Sequence, residues 1–356
     1  RNTTWTNDCL MKNFRTLSKI ALVLIYLVII AGAIVRMTGS GMGCPDWPKC
    51  FGYYIPPTQE SELLFQLNHS YEKGMMILID SEQFMVAKKD FTSAETYNSS
   101  NWELYSTHDY AIYNPVHTWV EYINRLIGAF SGLPILVLGI WSLWFFKKNK
   151  WITSIAWLTL FGMGFQAWLG KTVVDSNLAP YKITVHMVMA LLIVAFILYL
   201  IFATKTTFKI QRYHSLFHKL LFVGIILTLI QIVLGTQVRQ FVDEQTKMIG
   251  YEKSLWLAQP ELDFYIHRST SILVLFINGY LWYSNRTFNL GYNKIKLVLG
   301  CIILEVFTGI LMYYFDFPFL SQPLHLVIAS ILFGIQMYIL LEVLYQKRTI
   351  NKAIAY

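Results

Sequence analysis

Charged residues are scarce in this chain. Asp, Glu, Lys and Arg make up 14% of its 356 residues, whereas a soluble globular domain is nearer one quarter charged. Apolar residues make up 55%, and eight apolar runs reach or approach the roughly 20 residues that cross a bilayer. The runs cover residues 18–36, 118–146, 151–171, 182–203, 216–238, 263–283, 295–315 and 322–345. The composition argues against a soluble protein and predicts an all-α integral membrane protein with eight transmembrane helices.

Acidic residues are nearly missing from one set of connecting segments. The segments on the side of the N-terminus are rich in Lys and Arg and contain a single acid, Asp8. Short loops rich in Lys and Arg lie on the cytoplasmic side, so both termini are predicted to be cytoplasmic. The formal net charge of +8 reflects this distribution, and no nucleic-acid partner is expected. No cleavable signal is expected either, because no small-residue cleavage site follows the first apolar run.

Cysteine is also rare, with four residues in the chain. Cys44 and Cys50 follow the first apolar run, on the predicted outer side, where disulfides persist. Their spacing would close a small loop. The pair is either a structural staple or a redox-active pair.

A long polar segment, residues 52–116, separates the first two predicted helices. Aromatic residues occur throughout it, which is not typical of a disordered linker. We therefore predict a sizeable ordered cap on the outer face, with short helices at 59–70 and 81–88.

The two halves of the chain resemble each other. Gln166–Gly170 and Glu305–Gly309 stand 139 residues apart, and so do His186 and His325. Asn124 and His267 stand 143 apart, and a near-constant offset across several helices indicates an internal duplication. We therefore predict two tandem pseudo-symmetric four-helix bundles, residues 1–203 and 204–356, related by an axis along the membrane normal.

Histidines open two helices of the second half. His267 and His325 are predicted to lie at matched depth within one bundle, an arrangement that suits two axial ligands of a haem. The chain has no Cys-x-x-Cys-His sequence, so covalent attachment as in c-type proteins is not expected. Zinc is disfavoured, because four ligands at one depth cannot be assembled from these positions.

The first half differs at the corresponding helix. It offers His186, but Asn124 stands where His267 would be, and Glu121 lies one turn earlier. An iron held there would keep an open position beside a carboxylate that can donate a proton or stabilise positive charge. The alternative for Glu121 is an ion pair with Arg125 or Arg36. Arg125 and Arg268 are predicted to bind haem propionates, or else to snorkel to the membrane interface.

Three features together resemble the haem A synthase family over essentially the whole chain. They are the run from Gly32 to Cys50, the Glu121-Tyr-x-x-Arg125 motif, and the histidines that open helices 4, 6 and 8. The resemblance implies eight helices in two similar bundles, a haem b in the C-terminal half and haem O as substrate in the N-terminal half. It implies oxidation of the C8 methyl of haem O to a formyl group by successive hydroxylations and loss of water. Glu121 and the outer pair Cys44 and Cys50 match residues of the family.

The resemblance also implies a setting. The protein is expected to be multi-pass in a bacterial cytoplasmic membrane, surrounded by lipid, with its haem sites towards the outer face and iron as the bound metal. Haem O synthase is an expected partner, an electron donor such as a quinol is required, and a homo-oligomer is one expected assembly.

One departure concerns the ligand at helix 2. The family usually has Glu-x-x-His, and this chain has Asn124 in place of the histidine. His117, His108 or His69 could supply a replacement ligand. Alternatively, His186 alone holds the iron and Asn124 forms a hydrogen bond at the open position, which is the arrangement that we expect.

Three other functions are compatible with parts of the pattern. A quinol-linked cytochrome b would explain the histidines but predicts two bis-histidine haems, and only one obvious pair is present. A haem carrier for oxidase assembly would bind haem without turnover. A thiol oxidoreductase using Cys44 and Cys50 would leave the histidines without a role.

Overall fold

The computed structural model describes residues 2–79, 83–106 and 112–354. Long α-helices dominate these residues, which confirms the predicted all-α membrane class. Eight are present in the described ranges: α1 Asn2–Met37, α2 Pro115–Ser142, α3 Lys150–Asp175, α4 Pro180–Ala203, α5 Ser215–Ile249, α6 Leu262–Thr287, α7 Ile295–Tyr314 and α8 Ser321–Ile354. Helices suit a bilayer because they satisfy all their backbone hydrogen bonds internally.

Seven of these helices are long and apolar enough to cross a membrane, and α6 is the one that is not among them. Its 26 residues exceed the roughly 20 that a span needs. Polar and charged side chains along the helix, among them His267, Arg268 and Asn278, lower its mean hydropathy. An eighth span over α6 therefore stays a prediction.

Each set of four helices closes on itself. In the first half α1 packs against α2 and α4, while α3 packs against α2 and α4. In the second half α5 and α7 each pack against both α6 and α8. As a result α2 lies diagonally opposite α4, and α6 lies diagonally opposite α8. The predicted duplication and the division into residues 1–203 and 204–356 stay predictions.

Two clusters of buried apolar side chains hold the helices together. One cluster lies among α1–α4 and includes Phe14, Ile135 and Ile197. The other lies mainly among α5–α8 and includes Phe217, Leu281 and Ile339, with Leu191 of α4 added. Helices α1 and α4 also contact α8, so the two halves pack directly on each other.

The cap between α1 and α2 is built from β-strands. The strands are β1 Ser70–Tyr71, β2 Met76–Ile79, β3 Gln83–Ala87, β4 Phe91–Thr92 and β5 Trp102–Leu104. Strands β2, β3 and β5 form an antiparallel sheet in that order, and β1 pairs with β4. The short helix predicted at 81–88 is wrong in its described part, because Phe84, Met85 and Val86 are strand-forming residues that pair with β2 and β5. At 59–70 only a 3₁₀ turn, Glu60–Leu63, is present.

The cap joins the membrane helices through one apolar cluster. Buried Phe51, Leu63 and Phe84 pack with the buried cysteines Cys44 and Cys50, and Tyr122 of α2 packs against them. A second cluster, around Tyr71 and Trp102, fills the interior of the cap. The order predicted for this segment is therefore present, and the cap fixes the loop that precedes it against α2.

Candidate functional site

Glu121 lies at the meeting point of α2 and the loop after α1. Its side chain is buried, with the residue 4% exposed. One carboxylate oxygen lies 2.6 Å from Nη2 of Arg125, and the other accepts a hydrogen bond of 2.8 Å from the backbone N–H of Cys44. Of the two ion-pair partners considered from the sequence, the structure selects Arg125.

Arg125 ties α2 to the loop between the cysteines. Its Nη1 donates to the carbonyls of Asp46 at 2.7 Å and Lys49 at 3.0 Å. Its Nη2 also donates to the carbonyl of Cys44 at 3.1 Å. Both terminal nitrogens are therefore engaged by protein groups, and binding of a haem propionate by Arg125 stays a prediction.

Cys44 and Cys50 form the predicted disulfide. They are 0% and 1% exposed, so a soluble thiol reaches the sulfurs only after the loop opens. Asp46 orders the same loop by accepting hydrogen bonds from the backbone N–H groups of Phe51 at 2.6 Å and Gly52 at 2.8 Å. Burial raises the pKa of Asp46 above its usual value, although these two N–H groups act in the opposite direction. This geometry favours a staple over an exposed redox pair.

Replacing both cysteines by serine is expected to destabilise the protein. The closed loop is short, since the cysteines are six positions apart, so the loss is about 2 kcal/mol by the loop-entropy relation. Thermal unfolding in detergent should show a lower midpoint for Cys44→Ser/Cys50→Ser. Cys301→Ser is the matched control, because Cys301 is a free cysteine. Equal midpoints for both variants would contradict the staple.

Asn124 and His186 stand on the diagonal helices α2 and α4. The side-chain oxygen of Asn124 and Nδ1 of His186 are both buried, and neither has a hydrogen-bond partner among the described residues. The backbone carbonyl of His186 accepts a hydrogen bond of 3.0 Å from Gln166 Nε2. Buried polar atoms are normally paired, so two unpaired atoms within one bundle suit a polar or metal-containing ligand between them.

His267 and His325 face each other across the second bundle. Their ring centroids are 6.3 Å apart, with an interplanar angle of 69°. Nδ1 of His325 lies 3.0 Å from a carboxylate oxygen of Glu305, whereas Nδ1 of His267 is buried without a partner among the described residues. The structure thus brings together the two histidines that the sequence paired.

The spacing of this histidine pair fits one iron atom. Imidazole nitrogens about 2 Å from a shared metal place the two ring centroids roughly 6 Å apart, close to the 6.3 Å separation found here. Haem iron needs at most two protein ligands, because the macrocycle supplies the others. The described residues hold no group of three or more His, Cys, Asp or Glu side chains that could bind a metal ion. The donor set therefore fits a haem iron better than a bare ion.

Comparison with known proteins connects this geometry to a family. The family model described as cytochrome oxidase assembly protein, COX15-CtaA, matches residues 15–91 and 73–337. The chain belongs to this family. Proteins named haem A synthase are similar over most of the chain, and the resemblance found in the sequence is confirmed.

Two relatives of this family align over nearly the whole chain. The haem A synthase of Ehrlichia canis is 25% identical over 339 residues, which cover 89% of each chain. That of Wolbachia pipientis wMel is 23% identical over 342 residues, again 89% of each. The haem A synthase of Shewanella oneidensis is 29% identical over 189 residues, 53% of this chain and 45% of its own.

Two of the other histidines considered as ligands lie in the described part of the chain, and their role as ligands stays a prediction. His69 belongs to the cap, where its ring packs edge-on against Tyr71 at 4.7 Å. His117 lies in the first turn of α2, and its backbone N–H donates to Asn114. His108 lies outside the described residues. Arg268, the other predicted propionate ligand, stacks on the rings of Phe264 and Tyr265, and its role stays a prediction.

Sequence reasoning missed one ion cluster between the halves. Arg36 of α1 and Arg239 of α5, which correspond in the proposed repeat, share the carboxylate of Asp243 at 2.8 and 2.7 Å. Arg239 also donates to the carbonyl of Arg36 at 3.0 Å. The i, i+4 spacing of Arg239 and Asp243 was a usable signal, but the contact with α1 required the tertiary structure.

Asp243→Asn is expected to destabilise the contact between α1 and α5. The change leaves two partly buried guanidinium groups together without an anion, at a cost of about 3 kcal/mol. The midpoint of thermal unfolding in detergent should therefore fall. Glu244→Gln is the control, because Glu244 is exposed and bonds only Gln240 of its own helix. A midpoint for Asp243→Asn equal to that of Glu244→Gln would show that the shared carboxylate contributes little.

Proposed function

We propose that this protein is a haem A synthase, which oxidises the C8 methyl group of haem O to a formyl group by successive hydroxylations and loss of water. The observation that carries the proposal is the difference between the two halves. One half holds a histidine pair 6.3 Å apart. The other holds His186, Asn124 and a buried glutamate.

In the C-terminal half, His267 and His325 would hold a haem b. Such a haem supplies one-electron transfer between an external donor and the other half. The two imidazoles would orient and anchor it. Thr308 contacts Nδ1 of His325 at 2.8 Å and restricts the ring orientation. Arg268, which follows His267 in the chain, would bind a haem propionate.

In the N-terminal half, His186 would hold the iron of the substrate haem O. The hydrogen bond from Gln166 to the backbone carbonyl of His186 would hold α4, and with it the imidazole, at a fixed height along α3. Asn124 offers an unpaired side-chain oxygen on the diagonal helix, and Glu121 lies one turn from Asn124. A fixed carboxylate at this place would stabilise positive charge that develops on the reacting carbon. The contacts with Arg125 and Cys44 would keep Glu121 from turning away.

We further infer that the protein lies in the bacterial cytoplasmic membrane with both termini cytoplasmic. The distribution of Lys and Arg supports this orientation. In it, the disulfide loop, the cap and both haem sites would lie towards the outer face. Haem O would arrive from a haem O synthase, and a quinol or another donor would supply the electrons.

Co-expression with a haem O synthase tests the proposal. Haem extraction and chromatography should reveal haem A, or its hydroxylated precursor, when the protein is present. If the cells contain folded protein and reductant but yield only haem B and unchanged haem O, the proposal is wrong. That result would favour a haem carrier or a quinol-linked cytochrome b, for which the histidine pair is the supporting observation.

Gly235→Ala is expected to weaken haem b binding more than Gly309→Ala. A Cβ atom at Gly235 would lie 3.2 Å from Cε1 of His267, whereas one at Gly309 would lie 4.0 Å from Cε1 of His325. The alanine methyl group at position 235 would push the His267 ring aside, whereas the methyl group at position 309 would make an ordinary van der Waals contact with His325. The haem absorbance per purified protein should fall for Gly235→Ala only, and similar values for the two variants would contradict this explanation.

A further inference from the structure

A polar residue followed four positions later by glycine recurs on three helices. At each place the glycine lies beside the imidazole of the histidine on the following helix of the fold. The three sets are Gln166, Gly170 and His186; Gln231, Gly235 and His267; and Glu305, Gly309 and His325. The glycines leave room for the rings, because built Cβ atoms would lie 3.6, 3.2 and 4.0 Å from the three Cε1 atoms.

In two of the sets the polar residue is a glutamine that binds the histidine backbone. Gln166 Nε2 donates to the carbonyl of His186 at 3.0 Å, and Gln231 Nε2 donates to the carbonyl of His267 at 2.6 Å. The oxygen of Gln231 is used as well, by the hydroxyl of Thr270 at 2.6 Å. Each glutamine therefore fixes the register of two neighbouring helices at the level of a histidine.

The third set differs, because the Glu305 carboxylate lies beside the imidazole itself. Its carboxylate lies 3.0 Å from Nδ1 of His325. The nearby Thr308 hydroxyl is directed to the carbonyls of Leu304 and Glu305, so its hydrogen is used and its oxygen is left as an acceptor. Nδ1 of His325 lies 2.8 Å from the Thr308 hydroxyl oxygen and 3.0 Å from the Glu305 carboxylate, so a proton on Nδ1 faces two acceptors and Nε2 is left to bind a metal.

The fourth corresponding place lacks both the histidine and the polar residue. Gly32 lies beside Asn124, with a built Cβ 3.9 Å from the asparagine oxygen. The residue four positions earlier is Val28. The polar residue is thus present in all three sets that contain a histidine and absent from the set without one. The polar residue therefore accompanies the histidine, and helix packing alone does not require it.

We propose that Gln166, Gln231 and Glu305 are positioning residues for the three histidines, and that Glu305 makes the two ligands of the C-terminal haem unequal. A carboxylate close to the second ring nitrogen of a ligating histidine makes that histidine a more basic ligand. A more basic ligand favours the oxidised iron and so lowers the reduction potential. This inference rests on the proposed haem b site.

The test is a redox titration of purified, haem-containing protein at one fixed pH. Glu305→Gln should retain its haem and a six-coordinate low-spin spectrum but show a higher midpoint potential than the wild type. Each tenfold change in the relative binding of oxidised and reduced haem corresponds to about 59 mV for one electron. Glu305→Asp is a second carboxylate variant, expected to lie between the two if the longer side chain is needed for contact.

Gln231→Leu examines the backbone contact separately. It should lower haem occupancy while the remaining haem keeps a potential near that of the wild type, because the imidazole hydrogen bonds are unchanged. Thr228→Ala is the control: Thr228 is a buried polar residue of the same helix that bonds only its own helix backbone. It should leave both haem occupancy and potential unchanged.

The outcomes separate the two levels of the proposal. A wild-type protein that binds no haem would overturn the proposed function and this inference together. A haem-loaded Glu305→Gln protein with the wild-type potential would overturn the role of Glu305 alone. Equal haem occupancy in Gln231→Leu and Thr228→Ala would overturn the positioning role of the glutamine.

Discussion

Glu121→Gln and Glu121→Ala are expected to abolish haem A formation while the protein still folds and binds haem b. Loss of a preorganised charge-stabilising group typically costs about 100-fold or more in rate. Glutamine keeps an oxygen that can accept from the N–H of Cys44, which Glu121 does at 2.8 Å, so the loop should stay closed in that variant. The measurement is the ratio of haem A to haem O after co-expression with a haem O synthase, at matched protein amounts.

A Glu121 variant also loses the ion pair with Arg125, so a second variant is needed to separate the role of the carboxylate from the role of the ion pair. Arg125→Gln removes the contacts to the carbonyls of Asp46, Lys49 and Cys44 but leaves the carboxylate in place. We expect a lower unfolding midpoint and partial product formation from this variant. Glu60→Gln, an exposed carboxylate of the cap, controls for the loss of a glutamate. Normal haem A formation by Glu121→Gln, with none from Arg125→Gln, would reduce Glu121 to a structural role.

His325→Ala and His267→Ala are each expected to release haem b. Loss of an outer partner of a metal ligand costs about 10–100-fold in affinity, so loss of the ligand itself should cost at least about 100-fold. The two rings lie 6.3 Å apart, and an alanine at either position has no imidazole nitrogen to reach an iron between them. Visible absorbance per purified protein should therefore collapse. Haem A formation should stop with it, because in the proposed function this haem passes the electrons to the other half.

Two other histidines make this result specific. His186→Ala should retain haem b and its spectrum but lose haem A, because its ring belongs to the other bundle. His218→Ala should change neither, because its ring contacts Tyr213 near the start of α5, away from the two candidate haem sites. A His267→Ala or His325→Ala protein that retains low-spin haem b would contradict the assignment of the pair.

Much of the membrane fold was accessible from the sequence. The apolar runs predicted where the long helices lie, since a bilayer leaves the backbone no other hydrogen-bonding partners than its own. The repeat predicted that His267 and His325 lie at the same depth in one half, and their rings are 6.3 Å apart in the structure. Cys44 and Cys50 were likewise predicted as a pair and form a disulfide.

The cap was less accessible. Strand β3 was predicted as helix because its short sequence has no decisive period. Its pairing with β5, from Val86 to Glu103 and from Ala87 to Trp102, joins segments that are far apart in the chain. Such pairing is decided by packing that local propensity does not contain.

The sequence by itself determined the membrane class, the positions of the long helices, the histidines, the glutamate and the cysteines of the candidate site. Only the tertiary structure decided that Glu121 accepts from the backbone of Cys44, that Arg36 and Arg239 share Asp243, and that Glu305 lies beside the ring of His325 while Gln231 contacts the backbone of His267. The physical reason is the separation along the chain of the residues that take part. Hydrophobic length and periodicity are properties of a local segment, whereas a hydrogen bond or ion pair depends on angstrom-scale distances between helices that the chain brings together only on folding.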